Sequence, residues 1–308
     1  MKVYALAPNE NWICDRFVQE WNENHLELVA SSPYNCDVLW LLADWCWNQI
    51  DYRKIDRTKT KIVASVHHLV PEKFNNVQSI KEWKLRDSLI DAYHVPCEKT
   101  RQQIQNLTEK KIYTFPFWTN SEIWYPLDKK ICRSNLSLPA NKFIIGSFQR
   151  DTEGSDLISP KIEKGPDWLV DTIEKFSKEK DVHVLLGGWR RQYVISHLES
   201  LGISYTYKEL PDFKTLNEMY NSLDLYLVTA RYEGGPQAIV ECGLTKTPII
   251  STNVGLAKEI LNPASYTDKI EDLQKCKPDV DWNYQKSFEI SINQKGFDNF
   301  IKMFKEII

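Results

Sequence analysis

Arg231-Tyr-Glu-Gly-Gly-Pro-Gln-Ala-Ile-Val-Glu-Cys-Gly-Leu244 is the stretch whose reading decides the fold of this chain. Two carboxylates, Glu233 and Glu241, stand with seven residues between them across Gly234-Gly235-Pro236. An apolar run, Leu223-Asp-Leu-Tyr-Leu-Val228, leads in, and a second, Pro248-Ile-Ile-Ser251, leads out, so the stretch reads as strand, turn, helix, strand. Gly234 and Gly235 allow a sharp turn and a close backbone approach to a ligand. Pro236 suits the first helical position, where its missing N–H would be unpaired in any case. The free N–H groups of such a helix start favour an anion. Glu233 then lies in the turn and Glu241 about a turn and a half along the helix, both able to accept hydrogen bonds from hydroxyl groups of one ligand.

The same alternation extends outward in both directions. Strands are expected over residues 143–148, 182–186, 204–207, 223–228, 248–251 and 265–267 in the second part, and over 3–7, 26–30, 38–42, 61–66, 92–95 and 112–115 in the first. Helices are expected over 12–22 and 98–107, and another opens at Gly165-Pro166, with Leu169, Ile173 and Phe176 forming a buried stripe. Residues 118–141 carry prolines and read as an irregular connection. Short buried strands alternating with helices make an α/β protein with parallel sheets. Ligands of such sheets bind beyond the carboxyl ends of the strands.

The run from Asp224 through Glu233 and Glu241 to Thr247-Pro-Ile-Ile-Ser-Thr-Asn-Val-Gly255 and Glu259 resembles the signature of retaining GT-B glycosyltransferases, in particular glycosyltransferase family 4 (group 1 glycosyltransferases). The resemblance implies a GT-B fold: two Rossmann-like domains whose parallel sheets face a central cleft. It implies an N-terminal acceptor-side domain over residues 1–125, a sugar-nucleotide domain over 126–296, and a C-terminal helix, 297–308, packed back on the first domain. It implies transfer of a sugar from a nucleotide-diphosphate-sugar co-substrate to the hydroxyl of a glycan, a lipid-linked or a small-molecule acceptor, hexosyl transfer being the expected kind. No metal and no further cofactor are expected, and the departing phosphate itself accepts the acceptor's proton in such enzymes.

Site residues follow from the same resemblance. Ile144-Ile-Gly146-Ser-Phe-Gln-Arg150 ends a strand and Lys164-Gly165-Pro166 opens a helix, which implies Arg150 and Lys164 as the clamp on the donor's pyrophosphate, with Gly146 beside it. Two fixed cations stabilise a leaving diphosphate without a metal. The gap between them, residues 151–163, is longer than the family's, polar, and readable as a flexible lid; Lys161 within it rivals Lys164. Glu233 would orient the donor sugar and Glu241 bind the ribose, with backbone N–H groups around Gly234, Gly235 and Pro236 contributing. His67, ending Val63-Ala-Ser-Val-His67-His68, falls where the family places a histidine near the donor sugar. Gly187-Gly188-Trp189-Arg190 would make room for nucleotide, with Arg190 adding charge, and Tyr207-Lys-Glu-Leu210 would hold the base. The loop after the first strand, Ala7-Pro-Asn-Glu-Asn-Trp12, lacks the glycines the family usually has there.

Composition bounds the alternatives. The chain has 308 residues, 42% hydrophobic and 26% charged, enough for two packed domains. A net charge of −3 leaves no basic field for nucleic acid. Seven cysteines without a C-x-x-C pair fit reduced thiols and a cytoplasmic setting rather than zinc or disulfides. The first residues form too short an apolar run for a signal peptide. Five cations in residues 52–61 could contact anionic lipid headgroups peripherally, against the plain reading of a solvated segment. Of eleven tryptophans, Trp12, Trp21, Trp40, Trp45, Trp47, Trp83, Trp118 and Trp124 fall early; burial is their ordinary role, and Trp45 and Trp47 are candidates for stacking on an acceptor sugar. A metal-dependent transferase would need an acidic triplet, and Asp279-Val-Asp281 is the one available, in a charged turn. A non-catalytic GT-B relative that binds sugar nucleotide or glycan as a scaffold is the alternative from another class.

Overall fold

Runs such as Val38-Leu-Trp-Leu41 and Val182-His-Val-Leu-Leu-Gly187 are buried along their whole length, as parallel strands covered on both faces must be. The computed structural model describes residues 1–10 and 13–308. Trp12, with which the first expected helix begins, lies outside the described residues. The chain divides into two compact units, one of Met1–Phe117 with Gln294–Ile308, the other of Trp118–Asn293.

The first unit contains a parallel sheet in the order β1 (Val3–Leu6), β2 (Val38–Leu41), β3 (Lys61–Ser65), β4 (Ala92–Val95), β5 (Lys111–Thr114). Its helices are α1 (Ile13–Asn24), α2 (Pro71–Phe74), α3 (Val77–Leu89) and α4 (Glu98–Ile104). The strand expected over 26–30 does not form. Only Val29 bridges to Val3, through Val3 N–H to Leu28 O at 2.7 Å and Ala30 N–H to Val3 O at 2.9 Å. That remnant still lies beside β1, opposite β2. The sequence also hid α3, because Val77, Ile80 and Leu85 are exposed and Trp83 alone is buried, so no apolar stripe marks it. Helix α12 (Asn293–Ile307) adds Phe297, Phe300, Met303 and Phe304 to this core. The Phe300 ring centroid lies 4.6 Å from that of Trp40, and Phe304 meets Trp21 edge-on at 5.6 Å. Trp21, Trp40 and Trp83 are thus packing residues.

In the second unit the segment expected to be irregular holds a helix, α5 (Lys129–Asn135). Asp128 caps it by accepting from the N–H groups of Lys130 and Ile131, and Arg133 anchors it to Ser222 O at 2.9 Å and to Asp224 at 2.5 Å. Trp118 and Trp124 are buried here. The strands are β6 (Phe143–Ser147), β7 (Val182–Gly187), β8 (Ser204–Lys208), β9 (Leu225–Val228), β10 (Ile249–Thr252) and β11 (Tyr266–Thr267). The helices are α6 (Pro166–Ser177), α7 (Gln192–Ser200), α8 (Phe213–Asn221), α9 (Gln237–Leu244), α10 (Ala257–Ile260) and α11 (Val280–Ser291). The sheet is parallel in the order β11-β10-β9-β6-β7-β8, which in units of this domain is 6-5-4-1-2-3, a Rossmann sheet. Leu169, Ile173 and Phe176 of α6 are buried in its core. Among the described residues no helix is long and apolar enough to cross a membrane.

Candidate active site

Chain order reverses between β6 and β9, which pair through Ile145–Leu225 and Gly146–Tyr226, and a doubly wound sheet binds its ligand at the carboxyl ends of such strands. Beyond β6 come Gln149 and Arg150; beyond β9 come Thr229 to Glu233. The turn Ile162–Lys164, which ends the insert, is stitched to both. Gln149 Nε2 donates to Lys164 O at 2.9 Å, and the N–H groups of Arg231 and Tyr232 donate to Glu163 O at 2.8 and 3.1 Å. Thr229 Oγ1 donates to Gly165 O at 2.9 Å. Arg231 grips Asp167 with both terminal nitrogens, at 2.7 and 2.6 Å, reaches Ile162 O at 3.0 Å, and lies over the Trp168 ring. The result is an ion pair between the Lys164 ammonium and the Glu233 carboxylate, both mostly buried.

Glycine is required here at two positions outside the Gly-Gly pair. Gly165 has φ +62°, and a Cβ on it would fall 1.9 Å from Thr229 O. Gly255 has φ +52°, and its Cβ would fall 2.5 Å from Pro236 Cδ and 2.6 Å from Gly234 O. Gly234 and Gly235 themselves are not among the glycines with positive φ, so neither uses the left-handed backbone that glycine allows. Pro236 likewise stands one place earlier than expected: it is the residue before α9, and the helix begins at Gln237. Gly146 is buried in mid-strand, and Leu223 occupies the space its Cβ would need, at 2.3 Å, so the packing of this sheet already accounts for that glycine.

Glu241 lies on the fifth residue of α9 and is buried. Its Oε2 accepts a hydrogen bond from Tyr220 Oη at 2.7 Å. Burial, then the Glu241 charge, push the Tyr220 phenol far above its ordinary range, so the proton stays on the tyrosine and points at the carboxylate. Around the end of β7, Arg150 donates from Nε to Thr152 O at 2.8 Å, and its guanidinium lies 5.5 Å from the centre of the half-exposed Trp189 ring. Arg190, with φ +60°, lies 5.0 Å from the same ring; it is buried, and its Nε has no hydrogen-bond partner among the described residues. Tyr207 Oη donates to Gly188 O at 3.0 Å, so that tyrosine supports the Gly187-Gly188 turn.

Sequence reasoning passed over the residue that organises this corner. Arg191 is fully buried; its Nε donates to Asp151 at 2.9 Å, and its terminal nitrogens to Gly187 O at 2.9 Å, to Ser147 Oγ at 3.2 Å and to Ser147 O. One guanidinium thereby ties the ends of β6 and β7 to the start of the insert, through Asp151 next to Arg150 and from a position next to Arg190. No local pattern links an Asp to an Arg forty positions away, so Arg191 had no signal of its own. The insert is tied at its base by this ion pair, a Thr152–Pro160 bridge and Glu153 N–H to Ser159 O at 3.0 Å. Lys161 pairs with Glu163 at 3.8 Å.

In the first unit, His67 follows β3. Its Nε2 lies 3.0 Å from Leu42 O and 3.7 Å from Cys14 Sγ, and its ring stacks on Phe117 and meets the half-exposed Trp45 at 5.5 Å. Asp44, buried nearby, pairs with Arg86 at 2.7 Å; burial raises its pKa, against the lowering pull of Arg86 and His67. Cations of the 52–61 run are engaged by acids: Arg53 with Asp51 at 2.8 Å, Arg57 with Asp91 at 2.9 Å, Lys59 with Asp56 at 3.3 Å. In the acidic triplet, Asp279 caps α11 by accepting from Trp282 N–H at 3.1 Å, and Asp281 pairs with Lys246 at 3.5 Å.

Residues 157–272, which hold Lys164, Glu233 and Glu241, match a family model described as Glycosyl transferases group 1. That match lies within the second unit. No curated protein matches the chain by sequence. Among solved structures it is similar to HepE (Alr3699) from Anabaena, determined with UDP and glucose, at a TM-score of 0.78 and 11% identity, covering 98% of both chains. It is similar also to sucrose-phosphate synthase from Thermosynechococcus elongatus, at 0.71 and 14%, covering 98% of this chain and 80% of that one. A glycosyltransferase from Rickettsia africae gives 0.67 and 16%, covering 98% and 83%. The fold is GT-B, with two Rossmann-like domains.

Proposed function

We propose that this protein is a retaining, metal-independent glycosyltransferase that moves a hexosyl group from a nucleoside-diphosphate sugar to a hydroxyl acceptor. The observation that carries the reading is the meeting of Lys164 with Glu233 at the β6–β9 reversal, within the segment that matches the group 1 family. Departure of the nucleoside diphosphate concentrates negative charge on its phosphates. Lys164 and the start of α6, which has no side-chain cap, would supply fixed positive charge at that point, with Arg150 past the end of β6 assigned to the same phosphates, so no metal is called upon. Arg190, with a buried donor still to be satisfied, adds to the same cationic edge. Glu241, held by Tyr220, accepts from ribose hydroxyls, and Glu233 orients the donor sugar, with the turn at Gly234, Gly235 and Pro236 lending backbone N–H groups. His67 is assigned to the sugar-transfer step in the first unit. The leaving phosphate takes the proton of the acceptor hydroxyl.

The HepE complexes with UDP and UDP-glucose support uridine nucleotides as the first probes. A melting-temperature screen of the protein against UDP-, GDP- and ADP-sugars should single out one donor, since a ligand at about a hundred times its dissociation constant adds about 2.7 kcal/mol. That donor, supplied with a hydroxyl acceptor or water, should give a product of unchanged anomeric configuration by proton NMR, with activity surviving excess chelator. An inverted product would remove the retaining assignment, loss of activity in chelator the metal-independent one. Stabilisation without turnover across acceptors would favour the scaffold reading.

A further inference from the structure

Resting on the glycosyltransferase reading above, we propose that the Lys164–Glu233 ion pair makes the site discriminate against its own nucleoside-diphosphate product. The two side chains are bound to each other, and their backbones are held in register by the four hydrogen bonds that join Gln149, Thr229, Arg231 and Tyr232 to residues 163–165. A ligand phosphate that engages Lys164 competes with Glu233 for the same ammonium and draws charge from the pair. Both groups are mostly buried, so a carboxylate stripped of its cation is poorly served by water.

A sugar nucleotide compensates both halves of the broken pair. Its diphosphate takes the ammonium, while hydroxyl groups of the sugar donate to the carboxylate. A nucleoside diphosphate compensates only one. It takes the ammonium but brings Glu233 no hydroxyl donor in exchange, and sets beside it a terminal phosphate that now carries an extra negative charge. Like charges held together in a partly desolvated site repel, and that repulsion falls on the product alone. The ion pair therefore re-forms as the product leaves, which favours release after transfer.

The test is isothermal titration of the full chain with UDP, GDP, ADP, inorganic pyrophosphate and UDP-glucose, for wild type, Glu233→Gln, Lys164→Gln and the double variant, with Glu233→Ala as a second probe of the same position. Removing the competing carboxylate should tighten the preferred nucleoside diphosphate by about tenfold, and Lys164→Gln should weaken it by at least that factor. The gain from Glu233→Gln should differ in the Lys164→Gln background, because competition for the ammonium is gone there and only the carboxylate–phosphate repulsion remains. A glutamate that only touches sugar leaves nucleoside-diphosphate affinity unchanged. If wild type binds a nucleoside diphosphate and both Glu233 variants bind it equally or more weakly, the proposal falls while the glycosyltransferase reading stands. If wild type binds none of the nucleotides, both fall.

Discussion

Replacing Arg191 by Met tests whether one buried guanidinium aligns the cationic corner of the site. Met keeps the length and apolar bulk of the side chain and removes all its hydrogen bonds, to Asp151, Ser147 and Gly187. Asp151 is then a buried carboxylate without its cation, and breaking a buried pair from one side costs about 3–5 kcal/mol. For a domain of this size that is a fall in melting temperature of roughly 10 °C. The penalty should depend on pH in a defined direction. Burial raises the Asp151 pKa, and Arg191 is the main influence pulling it back down. Loss of Arg191 raises it further. A carboxyl whose folded pKa lies above its unfolded value loses stability as pH rises from the unfolded value through the folded one. The Arg191→Met penalty is therefore larger at pH 7 than at pH 4, and Asp151→Asn in the Arg191→Met background should abolish that dependence. Urea titrations of wild type, Arg191→Met, Asp151→Asn and the double variant at both pH values give the comparison, and initial rates give the functional half. kcat/KM should drop at least tenfold, since Arg150 and Arg190 adjoin the lost strut. A pH-independent penalty below about 1 kcal/mol would refute the reasoning, because exposed pairs of that size need no burial to explain them.

Glu233→Ala should lower kcat by about two to three orders of magnitude, as loss of a group acting in the transition state does, whereas Glu241→Ala should chiefly raise the donor KM. Equal kcat for Glu233→Ala and wild type in initial-rate assays would remove the first assignment. Gly255→Ala places a Cβ against Gly234 O and Pro236 Cδ at a left-handed backbone position. It should cost at least about 1–2 kcal/mol in chemical denaturation and impair turnover through the displaced turn; a neutral effect on both measures would contradict the close approach. His94 is fully buried between Ser65 Oγ at 2.9 Å and Phe115 O at 2.9 Å, and burial above all lowers its pKa from 6.5 to about 3. The unfolded chain binds that proton at higher pH than the folded one, so the stability His94 lends as a neutral ring is lost as pH falls from 6.5 towards 3, by a few kcal/mol. His94→Gln should flatten that part of the stability–pH curve measured by melting.

The sequence by itself determined the fold class and most of the strands, because buried parallel strands must be continuous apolar runs, and Val38–Leu41, Val182–Gly187 and Leu225–Val228 could scarcely be anything else. It also singled out Glu233 and Glu241, through the Gly-Gly-Pro turn between two apolar runs, whereas Lys164 was singled out by the resemblance to a known family. Where local signal was absent it fell short. The exposed helix Val77–Leu89 has no apolar stripe, the strand expected over 26–30 shrank to a single bridge, and α5 hid among prolines. Only the tertiary structure decided which residues meet. That Lys164 pairs with Glu233, that Tyr220 holds Glu241, that Arg191 rather than its neighbour ties two strands to the insert, and that Gly165 and Gly255 combine a left-handed backbone with no room for a side chain are contacts between positions far apart in the chain. Their partners are selected by the crossing of strands at a sheet reversal, and no spacing along the sequence encodes that.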